Sequence, residues 1–96
     1  MAWRDVLTIE AQADPIVTIR VSALVAVDNS IPAALTAVDL LDGRMRIVVE
    51  LRNFDAHKAA YLARKLETIP TVASVQAARI WRREGEPAAL QRARVA

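Results

Sequence analysis

Cysteine is missing from this chain of 96 residues, which removes disulfides, thiolate nucleophiles and sulfur metal ligands together. The single histidine, His57, stands among Ala and Lys with no second imidazole, so it reads as a solvated surface residue and no metal site is expected. With only Gly43 and Gly85, the chain cannot build a glycine-rich phosphate loop. No Ser, His and Asp set has the spacing of a nucleophilic triad, and no acidic pair rises above a solvated surface. Catalytic residues and cofactors are therefore both read as none. No apolar stretch approaches the ~18 residues of a membrane span. The segment Met1 to Asp5 has no apolar run of signal-peptide length. The expectation is a soluble, cytoplasmic chain without a membrane partner.

What the chain has is aliphatic surface. Hydrophobic residues make up 54% of it, and since aromatics are only 4%, that fraction is mostly Ala, Val, Leu and Ile. Chains of this length bury a modest share of their surface alone, so the excess points to an apolar subunit interface. Thirteen basic side chains against eleven acidic ones leave a net charge of +2, which argues for neither nucleic acid nor an anionic membrane. Arg44, Arg46 and Arg52, with Arg79, Arg82 and Arg83, invite a nucleic-acid reading. Domains that bind RNA on a sheet need stacking aromatics, and Trp81 is alone in its strand. With Glu50 among the arginines, a solvated or dimer-pairing charged face is the expectation, and Arg92 and Arg94 read as a solvated tail.

Val6 to Ala13 alternates apolar and polar residues and reads as a half-buried strand, stopped by Asp14-Pro15. Pro15 suits the first position of a helix, where its missing N–H costs nothing. From Ile16 to Val27 two readings compete. The many β-branched residues favour a strand, whereas Val17, Val21 and Leu24 at i, i+4 and i+7 make a helical stripe ending near Asn29. Ile31 to Leu40 follows as an extended segment with Pro32 near its start, which suits an edge strand. Asp42-Gly43 signals a hairpin, and Arg44 to Arg52 alternates cleanly, with Met45, Ile47, Val49 and Leu51 on one face. Asp55 then caps a helix to about Thr68, buried through Ala59, Leu62, Ala63 and Leu66 and ended by Pro70. Val72 to Arg82 is the last strand. The order strand, helix, strand, strand, helix, strand predicts an α+β, ferredoxin-like βαββαβ sandwich: a four-stranded antiparallel sheet with two helices on one face. One domain is expected over 1–96, with a core of about 6–82 and a tail over 83–96.

Several runs resemble ACT domains, above all the small regulatory subunits of acetolactate synthase. Pro15-Ile16-Val17-Thr18-Ile19-Arg20-Val21 is similar to the run that opens that family's first helix, and Asn29-Ser30-Ile31-Pro32-Ala33-Ala34-Leu35 to the one opening its second strand. Met45 to Val49 resembles the third strand, and Leu62 to Ile69 the second helix. The resemblance implies a helix for the ambiguous segment.

It further implies a regulatory module, not an enzyme, that forms a homodimer along the second strand, with Ile31, Ala33, Ala34 and Ala37 at the seam. A ligand site would lie at Asp14, Pro15, Ile16 and Val17, with Ile31 across the seam. Asp14 reads more readily as a helix N-cap just before Pro15. Where the family usually has Gly and Asn for an amino-acid ligand, this chain has Ile16 and Ile31, two branched side chains expected to fill the pocket. Left unpaired there, a ligand's charged group would cost at least a few kcal/mol. The first functional expectation is a regulatory subunit of an acetolactate synthase-type enzyme in branched-chain amino-acid biosynthesis, with that enzyme's catalytic subunit as partner. The alternatives are a free-standing homodimeric sensor of a small molecule and a structural dimerisation module without ligand.

Overall fold

The computed structural model describes residues 2–27, 32–52 and 56–82. The expectations for Asn29, Ile31, Asp55 and the tail 83–96 fall outside these residues. Six elements follow in order: β1 (Ala2–Gln12), α1 (Pro15–Val27), β2 (Pro32–Asp39), β3 (Arg44–Arg52), α2 (Ala56–Glu67) and β4 (Val72–Arg82). The strands form one antiparallel sheet in the order β2-β3-β1-β4, so β2 and β4 are its edges. This is the βαββαβ sandwich expected from the pattern. No helix of the described residues is long and apolar enough to cross a membrane.

β1 starts four residues earlier than its alternation predicts, because β4 is long enough to pair with it down to Ala2 opposite Arg82. At the other end it stops at Gln12, leaving Ala13 outside the strand. Between the helices and the sheet, Leu7, Ile9, Ile47, Val49, Leu51, Leu62 and Leu66 are fully buried and form the centre of the core.

The ambiguous segment is a helix. Its buried stripe is Val17, Val21 and Val25, and Leu24, expected in the stripe, packs at its margin. Each buried valine contributes on the order of 1.5 kcal/mol. A β-branched residue loses at most ~0.7 kcal/mol of helix propensity, so packing overrides the strand preference. The opposite side of α1 is apolar too, with Ile16 and Ile19 exposed. α2 buries the four predicted positions Ala59, Leu62, Ala63 and Leu66. It closes through Thr68, whose N–H and hydroxyl both donate to the Lys65 carbonyl, and Ile69 then tucks into the core ahead of Pro70.

The uncovered sheet face departs from a solvated charged surface. Glu50 is 0% exposed there, in the second strand from the β2 edge, with Val6 and Ala34 as its register neighbours and Arg4 Nε 4.0 Å from its carboxylate. Glu10 and Arg46 pair more closely, at 2.8 Å, but stand more open to water. Arg79, read from the sequence only as an arginine of the last strand, is on the other side. It lies on the helix side of the sheet, directly across from Asp5, a carboxylate 5% exposed whose Oδ1 is 3.4 Å from Arg79 Nε.

Candidate functional site

The loop between β1 and α1 is held from three sides. Gln12 N–H donates to the Thr71 carbonyl, and Ala13 N–H to the Gly43 carbonyl, each at 2.9 Å. Asp14 Oδ1 accepts the Ile16 N–H at 3.0 Å, which satisfies one of the orphan donors at the start of α1. The Asp14 carbonyl meanwhile accepts from Val17 N–H at 3.1 Å. Asp14 is thus the N-cap, and Pro15 occupies the first helical position.

Gly43 makes the loop's tie to the β2–β3 turn possible. Its φ of 83° lies in the left-handed region that side chains disfavour, and in that conformation its carbonyl meets Ala13. In the same turn, Asp39 Oδ1 accepts the Leu41 N–H at 2.9 Å. Asp42 Oδ2 receives both Nε and Nη2 of Arg44, at 3.0 and 2.8 Å. These hydrogen bonds, and then the guanidinium's charge, hold the Asp42 carboxyl below the usual range and raise Arg44 in turn.

Loop, edge strand and turn enclose a cleft of 310 Å³. Ala13, Asp14 and Pro15 form one wall, Ala37, Val38 and Asp39 the other, and Met45 is buried at the start of β3. The site expected from sequence is only partly gathered here. Asp14 and Pro15 line the cleft, whereas Val17 points into the core at 1% exposure. Ile16, expected to fill the pocket, is instead 54% exposed and does not line it, because the helix start turns its side chain outward. Of the proposed seam, Ala33 and Ala34 are half-buried and Ala37 is exposed.

Sequence reasoning missed Ala13, Val38, Asp39 and Met45. The Asp42-Gly43 signal found the turn, but its contact with a loop some thirty residues earlier is a tertiary fact no local pattern carries. Among the described residues the lining offers no hydroxyl, thiol, imidazole or amine, and its two carboxylates already accept local backbone N–H groups. Among the described residues no cluster of three metal-ligating side chains exists.

Strand order and two helices on one face define a ferredoxin-like α+β module, with a cleft beside its outer edge strand. A family model described as "ACT-like domain" matches residues 4–84, and the chain belongs to that family. No curated protein sequence matches it. Among solved structures it is similar to the ACT domain of GTP pyrophosphokinase from Chlorobium tepidum, with a TM-score of 0.68 at 13% identity over 81% of this chain and all of that one. The C-terminal domain of the MgtC protein from Mycobacterium tuberculosis superposes with a TM-score of 0.68 at 13% identity, covering 88% of this chain and 95% of that one. A formyltetrahydrofolate deformylase from Pseudomonas putida shares the fold at a TM-score of 0.57 and 19% identity, over 82% of this chain but only 29% of that protein. At these identities the likeness is one of fold.

Proposed function

We propose that this chain is a non-catalytic regulatory ACT module that pairs with a second copy along β2 and holds a small, largely apolar ligand in the cleft beside that seam. The observation that carries the reading is the position of the cleft: one wall is the outer edge strand itself, through Ala37, Val38 and Asp39. A ligand there would touch both the β1–α1 loop and whatever pairs with β2, so binding and association would be linked. Ile31, outside the described residues, would belong to the seam together with Ala33, Ala34 and Ala37.

Size-exclusion chromatography with light scattering is the test. A dimer is expected for the native chain and a monomer for Ala37→Lys, a substitution at an exposed position that brings two like charges to the seam. A native monomer across micromolar to millimolar concentration would sink the pairing.

The partner that the sequence resemblance points to is the catalytic subunit of a thiamine-dependent acetolactate synthase, whose population of competent states the module would shift. Tagged protein recovered from its native lysate should carry such a subunit. Recovery of the self-associated chain alone would leave the free-standing sensor, for which the apolar lining of the cleft speaks. A thermal shift with branched hydrophobic metabolites, absent with valine or isoleucine, would mark that case.

A further inference from the structure

On the far side of the molecule from the β2 edge, α2 leaves part of the sheet uncovered. Ala77 and Arg79 of β4 stand in register with Leu7 and Asp5, on the side of the sheet that carries the core. Leu7 is fully buried, yet Ala77 is exposed. Small side chains on both elements leave the space open: Ala59 and Ala60 from α2 and Ala77 from β4, with the strand at Ala78, border 200 Å³ together with Asp5 and Arg79.

Two residues further along the same two strands, Trp3 and Trp81 face each other on this side, edge to face, with ring centroids 4.7 Å apart. Both rings stay about half exposed, an unusual condition for the two largest side chains of the chain. A buried carboxylate, a half-exposed guanidinium, an open apolar slot and an aromatic wall thus follow one another within a few rungs of the sheet.

We propose that this slot is a second binding site, distinct from the cleft at β2, for a small carboxylate with an aromatic or branched apolar body. Asp5 is 5% exposed and serves as the anchor that holds Arg79 by its Nε. Arg79 is the charged group an incoming molecule meets first, its side chain 43% exposed, and planar guanidinium recognition of carboxylate is the chemistry it offers. The apolar body then lies in the alanine-lined slot, against the Trp3–Trp81 pair.

Trp3 and Trp81 are the only tryptophans in the chain, so intrinsic fluorescence reads the site directly. The full chain is titrated with 3-phenylpropionate, and with phenethylamine as a probe of the same body and opposite charge. A saturable fluorescence change with the carboxylate only is expected. It should weaken roughly tenfold or more in Arg79→Gln and vanish in Ala60→Leu, which fills the slot from an exposed position on α2. Far-UV circular dichroism confirms that each variant is folded, and Ala77→Leu replaces Ala60→Leu if needed. Ala37→Lys, at the other cleft, should leave the titration unchanged whether or not the chain dimerises. Absence of a saturable change, an equal response to the amine, or binding retained in the filled variants would overturn the proposal.

Discussion

At Leu41 the backbone takes a φ of 67°, a left-handed conformation that costs a leucine roughly 1–2 kcal/mol, while the side chain stands 90% exposed. Nothing in the packing offsets that strain, so Leu41→Asn is expected to stabilise the fold by about 1 kcal/mol, since Asn tolerates the conformation. A rise in the urea midpoint without a change in slope checks it. Gly43 gives the opposite sign. An added Cβ would meet no atom within 4 Å, so Gly43→Ala should cost about 1 kcal/mol through backbone conformation alone. Asp42 supplies a pH test. The hydrogen bonds from Arg44 lower its folded pKa from the ordinary carboxylate value, so the pair contributes above the unfolded value and is lost as pH falls through the folded one. In Arg44→Gln the Asp42 carboxyl, followed by NMR, should titrate at higher pH than in the native chain.

At the scale of elements, distance and burial rank the two ion pairs of the open sheet face in opposite orders. Glu10–Arg46 is the shorter pair, but solvent reaches both of its side chains. Arg46→Met should therefore cost less than about 1 kcal/mol. Arg4→Met removes a cation beside the fully buried Glu50 carboxylate and should cost about 2 kcal/mol or more. Urea unfolding of both variants decides whether burial outranks distance. Glu50 also marks the limit of what alternation reveals. The pattern of Arg44 to Arg52 placed Glu50 on the correct face, and β3 has the predicted ends. That the face closes over one carboxylate depends on neighbours from β1 and β2, which alternation within β3 cannot report. α1 was legible through its period, its Asp14-Pro15 start and the family resemblance, since its composition spoke for a strand. The cleft was half legible, because Asp14-Pro15 is a local signal whereas the wall of Ala37 to Asp39 is set by sheet order.

For the whole molecule, apolar surface remains in view. Ile16 and Ile19 on α1, Val38 on β2 and Leu41 at the turn are all exposed. If the proposed pairing covers part of this surface, unfolding is linked to dissociation. The thermal midpoint should then rise with protein concentration and stay flat for Ala37→Lys, as calorimetry over a hundredfold concentration range would show.

The two edges of the sheet are chemically unequal. β2 carries neither Lys nor Arg, while β4 carries Arg79 and ends beside the Trp3–Trp81 pair. An assembly that grows by adding strands needs two usable edges on every copy, and of the two described edges β2 is bare while β4 bears the Arg79 cation. Joining β2 to β2 uses the bare edge on both copies at once. Growth by strand addition then stops at two, so such a chain would build a closed pair and resist extending into a filament.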